Sequence, residues 1–171
     1  MRHICLYIVC KISDSWNQGT RYIYQEQWKL DVIGHIERII TGDSMLKINF
    51  YNLNTVDDVL LKYAVIITKC AGQWVFVRHK DRVTWEIPGG HREDNETIDD
   101  AAKRELEEET GAIKFKISPI CTYSVVAEQE TFGQLYYAEV EARTETLESE
   151  IAEVALFNEV PDHLTYPLIM P

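Results

Sequence analysis

Residues 90–112 of this 171-residue chain read GHREDNETIDDAAKRELEEETGA and predict a helix with two different faces. Apolar side chains recur in this stretch at spacings of three and four, at Ile98, Ala101, Ala102 and Leu106. That periodicity is typical of a helix that buries one side. Thr97 precedes the stripe as a capping residue, and Gly111 follows it as a glycine that can end a helix. We therefore predict a helix between these two residues.

Three glutamates occupy a second face of the predicted helix. Glu105, Glu108 and Glu109 fall within about 100° of arc at 3.6 residues per turn, whereas Glu107 points away into solvent. Like charges three or four residues apart destabilise a helix by roughly a few tenths of a kcal/mol per pair. Carboxylate oxygens suit hard cations such as Mg²⁺ or Mn²⁺. A helix that binds such a cation gains from this spacing, and a purely structural helix does not.

This spacing resembles the signature of the Nudix hydrolase family, G-x5-E-x7-R-E-U-x-E-E-x-G-U, where U is a bulky aliphatic residue. The chain matches it at Gly90, Glu96, Arg104, Glu105, Leu106, Glu108, Glu109 and Gly111. The last position departs from the pattern because it is Ala112, and we expect the neighbouring Ile113 to do the packing. The preceding residues 85–90, WEIPGG, are also similar to the segment that leads into the family's motif.

The resemblance implies an enzyme that hydrolyses a pyrophosphate bond in a nucleoside diphosphate linked to another group. It implies a Mg²⁺ or Mn²⁺ cofactor held by Glu105, Glu108 and Glu109. A backbone carbonyl near Gly89 or Gly90 would assist. The metal would neutralise phosphate charge and lower the pKa of the attacking water. The general base is left open: one of these carboxylates or a glutamate on a later loop.

The resemblance also assigns Glu96 and Arg104 to the catalytic motif. It implies that the two form an ion pair that holds the loop against the helix. The alternative is two independent surface charges, which would be worth about 0–1 kcal/mol as an exposed pair.

Outside the motif, the sequence offers weaker candidates for substrate binding. The basic side chains of Arg78, Lys80 and Arg82 could contact phosphates, although a charged turn explains them equally well. Trp85 and Tyr123 could stack on a base, but core packing is the favoured interpretation.

A further metal ligand is expected from the acidic stretch before the last predicted strand. Glu148, Glu150 and Glu153 lie there, and Glu150 is the favoured candidate; a solvated acidic loop is the alternative. His79 and His91 flank the predicted site, but the sequence identifies no partner for either, so neither is assigned a role.

The order of predicted elements indicates an α+β fold with a mixed sheet, because strands come first, then one helix, then strands again. Alternating residues at 47–53 predict an edge strand, and the apolar run at 64–69 predicts a strand buried on both faces. Further strands are predicted at 74–78, 85–87, 114–124, 133–143 and 153–157. The family resemblance covers roughly residues 47–165 and implies a Nudix-type α/β/α sandwich.

Residues 1–44 form an extension that resembles no segment we recognise, and residues 45–171 form the predicted Nudix domain. Large apolar side chains in the extension recur at helical spacing and predict an amphipathic helix over 27–41 that ends at Gly42: Trp28, Val32, Ile33, Ile36, Ile39 and Ile40. Core packing is the favoured explanation of that stripe. Two roles stay open for the extension: an added module, or an element that joins two chains into a homodimer.

Composition limits the partners. The net charge is −11 with a pI near 4.9, which argues against duplex nucleic acid as a general partner. The apolar run at residues 4–10 is too short to cross a membrane. The four cysteines are scattered without metal-site spacing. We expect a globular cytoplasmic protein with free thiols and a nucleotide substrate.

Three functions fit these features. The first is pyrophosphohydrolysis of a free nucleotide, such as a nucleoside triphosphate or an oxidised guanine nucleotide. The second is the same chemistry on ADP-ribose, another nucleotide sugar, or the 5′ end of RNA. The third is a nucleotide-sensing module that keeps the fold without turnover, which the intact set of glutamates argues against.

Overall fold

A computed structural model describes residues 37–41, 44–145, 147 and 150–165, with side chains from residue 47 onward. These residues form eight strands: β1 (Glu37–Thr41), β2 (Ser44–Tyr51), β3 (Leu61–Cys70), β4 (Gln73–His79), β5 (Gly89–His91), β6 (Ala112–Val126), β7 (Glu130–Arg143) and β8 (Ile151–Phe157). The strands lie in the order β1-β2-β6-β7-β3-β4-β8, and β5 pairs with β3. Only β3 and β7 run parallel among the described pairs, so the predicted mixed sheet is confirmed.

Helix α1 (Ile98–Thr110) is the one α-helix in the described part of the chain, which also contains a short 3-10 helix, Asp58–Leu60. The Thr97 hydroxyl accepts a hydrogen bond from the Asp100 N–H at 3.1 Å and caps the helix. Gly111 ends it with φ 72°, a left-handed conformation that glycine adopts without strain. The predicted helix and both of its ends are therefore confirmed.

The core has two parts, one on each face of the sheet. On one face α1 buries Ala101, Ala102 and Leu106 against β3 and β7, and all three are fully buried. Burying a leucine side chain contributes about 1.5–3 kcal/mol, so this stripe fixes the helix on the sheet. On the other face, aromatic and aliphatic side chains pack around Phe76 and Tyr123.

Strands β3 and β4 separate soon after their hairpin, and this separation builds the site. They pair only at Lys69–Trp74 and Cys70–Gln73, after which β4 pairs with β8. The chain after β4 enters the gap: the Ile66 N–H donates to the Pro88 carbonyl at 2.9 Å. Strand β5 then lies beside the start of β3, which brings its glycines under α1.

Two predicted strands differ from the structure. Residues 85–87 make only isolated bridges, from Trp85 and Glu86, and the strand of this region lies at Gly89–His91. Strand β2 is not an edge, because β1 and β6 both pair with it. The first difference follows from pairing of β5 with β3, a segment distant in sequence that local patterns do not encode, and the second from the pairing of β1 with β2.

The amphipathic helix predicted for residues 27–41 is wrong over its last five residues. Residues 37–41 form β1, which pairs antiparallel with β2 from Glu37–Ile48 to Thr41–Ser44. Isoleucine is β-branched and fits a strand as well as an apolar helix face, so Ile39 and Ile40 satisfied both patterns. The rest of that helix lies outside the described residues, and the domain boundary after residue 44 stays a prediction.

The described residues contain no helix with the length and apolar character needed to cross a membrane. Of the cysteines, Cys70 and Cys121 lie in this part of the chain, and both are free thiols.

Candidate active site

The glycines of β5 bring the backbone against two carboxylates of α1. The Gly89 N–H donates to Glu109 Oε2 at 2.8 Å, and Glu109 is only 2% exposed. A Cβ on Gly90 would collide with the carboxylate of Glu105. The absence of side chains at these two positions therefore lets strand and helix approach closely enough to gather the carboxylates at one point.

Arg104 ties the preceding loop to the helix. Its guanidinium donates to both carboxylate oxygens of Glu96, at 2.7 and 3.2 Å, and to the His91 carbonyl at 3.1 Å. The hydrogen bond from Arg104 lowers the pKa of Glu96. The ion pair that the family resemblance implied is thus present, and it links both ends of the loop between β5 and α1.

The same guanidinium reaches the glutamate face, which the sequence did not indicate. Arg104 donates to Glu105 at 2.9 Å and to Glu108 at 3.2 Å. Glu108 is half-exposed, and Glu107 lies on the exposed side of the helix as predicted. One positive charge therefore faces three carboxylates, counting Glu96.

The electrostatics of the cluster favour a bound cation. Burial raises the pKa of Glu105, and the nearby negative charge of Glu109 raises it further. Both effects penalise an ionised carboxylate, and a divalent cation between the two side chains would offset both. The donor set is dominated by carboxylate oxygen, so these residues fit the Mg²⁺ or Mn²⁺ that the resemblance implies.

His79, at the end of β4, and Glu150, just before β8, complete the cluster. Donor atoms of His79, Glu109 and Glu150 lie within 4.8 Å of one another. Glu150 was the favoured candidate of three. Glu153 instead pairs with Arg78 at 2.5 Å, and Glu148 lies outside the described residues. Sequence reasoning gave His79 no role because its contact, Glu109, is distant in the chain; a histidine ending a strand before the motif was the only available signal.

The predicted phosphate-binding side chains have partners within the fold. Arg78 pairs with Glu153, and Arg82 pairs with the buried carboxylate of Glu86. Lys80 is exposed. Substrate contact by these three residues stays a prediction. The two arginines already form ion pairs within the fold.

Of the two aromatic candidates, Tyr123 lies in the core and Trp85 is partly buried against it. The ring of Trp85 packs edge-to-face on Phe157 with centroids 5.2 Å apart, and the Arg78 guanidinium lies 5.7 Å from the Trp85 ring centroid. Tyr123 is fully buried. Both positions agree with the packing interpretation that the sequence favoured.

Comparison with known proteins identifies the family. Residues 60–165 match the NUDIX domain family, a span that includes every residue assigned above to the site. The chain belongs to this family. Among curated proteins it is similar to the putative 8-oxo-dGTP diphosphatase YtkD of Bacillus subtilis, with 31% identity over 106 residues. The matched region is 61% of this chain and 66% of that relative, slightly under two thirds of the relative's length.

Solved structures show the same fold. The Bacillus subtilis pyrophosphohydrolase BsRppH aligns with a TM-score of 0.63 and 26% identity, over 75% of this chain and 80% of that chain. A UDP-X diphosphatase aligns with a TM-score of 0.54 and 16% identity, over 94% of this chain and 72% of that one. The second likeness, at that identity, concerns the fold alone.

Proposed function

We propose that this protein is a metal-dependent pyrophosphohydrolase that cleaves a phosphoric anhydride bond in a nucleotide. The main support is the convergence of Glu105 and Glu109 at the β5 glycines, with a carboxylate oxygen of Glu150, from another element, within 4.8 Å of one of Glu109. A solvated surface helix would keep such like charges apart and exposed. Here Glu109 is buried instead, at a cost that a cation and an anionic substrate would offset.

In this proposal each residue has a distinct task. Glu105, Glu108 and Glu109, with a backbone carbonyl near Gly90, would hold the metal, which would supply positive charge at the phosphates and acidify water. Arg104 holds Glu105 and Glu108 in place and, through Glu96, keeps the loop closed over the helix. A carboxylate of the cluster removes the proton from the attacking water.

We propose a free nucleoside triphosphate as substrate, with an oxidised guanine nucleotide as the leading case. Similarity to a protein named as a putative 8-oxo-dGTP diphosphatase supports this choice. The runner-up is a triphosphate at the 5′ end of RNA, supported by the likeness to the pyrophosphohydrolase BsRppH. ADP-ribose and other nucleotide sugars remain the third option. A cytoplasmic location fits all of them, since free nucleotides and Mg²⁺ are available there.

A turnover assay across a substrate panel tests the proposal. The purified protein would be incubated with Mg²⁺ or Mn²⁺ and with dGTP, 8-oxo-dGTP, ADP-ribose and a 5′-triphosphate RNA. We expect the highest kcat/KM for 8-oxo-dGTP, with nucleoside monophosphate and pyrophosphate as products. Running the reaction in ¹⁸O-water shows which phosphorus the water attacks. The Glu109→Gln variant is the control for a contaminating phosphatase.

The outcomes separate the alternatives. If the protein prefers the RNA, the substrate is the 5′ end of RNA and not a free nucleotide, and the proposed chemistry is unchanged. Binding of a nucleotide without hydrolysis of any substrate, with either metal, would support the non-catalytic sensing module and contradict the proposed function.

A further inference from the structure

His79 and Glu150 are fixed side by side by the backbone of the sheet. Strand β4 ends at His79, whose register partner is Ile151, the first residue of β8. The Lys80 N–H then donates to the Glu150 carbonyl at 2.9 Å. Two backbone pairings between β4 and the start of β8 therefore position both residues, and α1 supplies Glu109.

The side chain of Glu109 is oriented toward this pair. Its Oε2 accepts the hydrogen bond from Gly89, which directs Oε1 toward the imidazole. His79 Nε2 lies 3.5 Å from Glu109 Oε1, and the histidine side chain is 15% exposed. One nitrogen and two carboxylate donors thus meet within 4.8 Å. Opposite ligands on one ion with bonds of about 2.1 Å are about 4.2 Å apart, so small side-chain rotations would suffice.

A nitrogen donor changes which cations the site prefers. Mg²⁺ favours oxygen ligands and retains its water, whereas first-row transition ions accept imidazole more readily, Mn²⁺ the least among them. The family motif supplies only oxygen ligands, from α1 and the β5 glycines, and His79 lies outside that motif.

We propose that His79 Nε2 is a metal ligand, together with Glu109 and Glu150, and that the site therefore selects Mn²⁺ over Mg²⁺. This inference rests on the proposed function, which requires a divalent cation at these glutamates. The competing explanation is that His79 only hydrogen-bonds to Glu109 and never contacts the metal.

Pulsed EPR of the Mn²⁺-loaded full-length protein separates the two explanations without measuring activity. A directly bound imidazole couples its nitrogen to the Mn²⁺ electron spin. We expect a histidine nitrogen signal whose pattern changes when the protein is prepared with ¹⁵N-labelled histidine. Bound Mn²⁺ without such a signal would overturn the proposal, and this measurement needs no variant to fold.

Metal titrations of variants provide the second test. Mn²⁺ binding would be followed by the loss of the free-ion EPR signal, and Mg²⁺ binding by competition. We expect His79→Leu to raise the Kd for Mn²⁺ on the order of tenfold, and the Kd for Mg²⁺ by less than about threefold. His163→Leu is the matched control, since His163 is exposed, and His91→Leu tests a histidine next to the motif. Equal Mn²⁺ and Mg²⁺ affinities in wild type, or unchanged Mn²⁺ affinity in a folded His79→Leu, would contradict the proposal.

Together with the turnover assay, these measurements distinguish the role of His79 as a metal ligand from the proposed pyrophosphohydrolase activity. Hydrolysis with Mg²⁺ or Mn²⁺ but without nitrogen coupling would refute His79 as a metal ligand and would still support the pyrophosphohydrolase function. Nitrogen coupling without hydrolysis of any nucleotide would leave the metal site and refute the enzyme.

Discussion

The carboxylates of α1 and the basic side chains of residues 78–82 are neighbours in the structure, and charge is arranged oppositely in the two regions. On α1, like charges converge: Glu105 and Glu109 meet at the β5 glycines, with Arg104 as the cation that the structure shows beside Glu105. In residues 78–82, opposite charges pair, Arg78 with Glu153 and Arg82 with Glu86.

This difference indicates which region has a ligand to bind. Ion pairs between opposite charges are satisfied within the protein and need no further partner. Carboxylates gathered against their own repulsion are satisfied only in part, so the missing positive charge is expected from outside the chain. Each prediction below tests whether this contrast is functional.

Removal of the metal should have the largest effect. With excess EDTA we expect hydrolysis to fall below detection and to return when Mg²⁺ or Mn²⁺ is added in excess of chelator, because the ligand set is made of carboxylates that bind phosphate only through a cation. Product formation by chromatography is the measurement. Full turnover in EDTA would show that the clustered carboxylates of α1 do not act in catalysis through a bound metal.

Substitution of Glu109 should come next. We expect Glu109→Gln to lower kcat on the order of 10²–10³-fold or more while the circular dichroism spectrum stays native, because glutamine keeps the size of the side chain and loses its charge. Glu107→Gln is the matched control on the exposed side of the same helix. Similar kcat losses in both variants would contradict the assignment of the two faces.

The two glycines of β5 should respond differently to the same methyl group. At Gly90 the added Cβ meets only the flexible end of Glu105, so we expect Gly90→Ala to fold and to lose activity on the order of 10²-fold, as a displaced catalytic group does. At Gly89 it meets the backbone of Ala64, and φ is 149°. We expect Gly89→Ala to be destabilised by about 1–3 kcal/mol.

Thermal melts and kcat for both variants are the measurements. A stable, fully active Gly90→Ala protein would show that the position of the Glu105 carboxylate is not critical.

The sequence predicted the parts of this molecule that are determined locally. Helix α1 has its cap, apolar stripe and terminal glycine within fifteen residues, so its limits and its glutamate face were predicted correctly. Strand β5 depends on pairing with β3, a distant segment, and β1 has an isoleucine pattern that fits a helix as well as a strand, and there the predictions failed. His79 was missed for the same physical reason as β5, since its contact with Glu109 is created by the end of β4 and not by spacing.

The basic region should show a smaller effect, and on stability more than on activity. We expect Arg82→Gln to lower the free energy of unfolding by about 1–2 kcal/mol, because Glu86 is buried and loses a charged partner but keeps the hydrogen bond from Thr165. KM should change by less than about twofold if Arg82 is structural. Denaturant unfolding and steady-state kinetics are the measurements. A KM increase of tenfold or more at unchanged stability would mean that Arg82 binds phosphate. Arg82 would then be a substrate-binding residue and not a structural ion-pair partner.

The pair that closes the loop should produce the smallest effect, visible as a dependence of stability on pH. The hydrogen bond from Arg104 lowers the pKa of Glu96 in the folded protein. In the unfolded chain a glutamate has a pKa of about 4.3, so the Glu96 carboxyl binds its proton less tightly in the folded state than in the unfolded one. The resulting stability is therefore present above that pH and is lost as the pH falls through it toward the folded value. We expect wild type to melt above Glu96→Gln at pH 7, by the equivalent of about 1 kcal/mol or less, and the two melting temperatures to converge below pH 4. Glu107→Gln, from the exposed side of α1, should show no such convergence. A constant gap between wild type and Glu96→Gln at every pH would mean that Glu96 stabilises the loop by packing, and that its charge is not what holds it to Arg104.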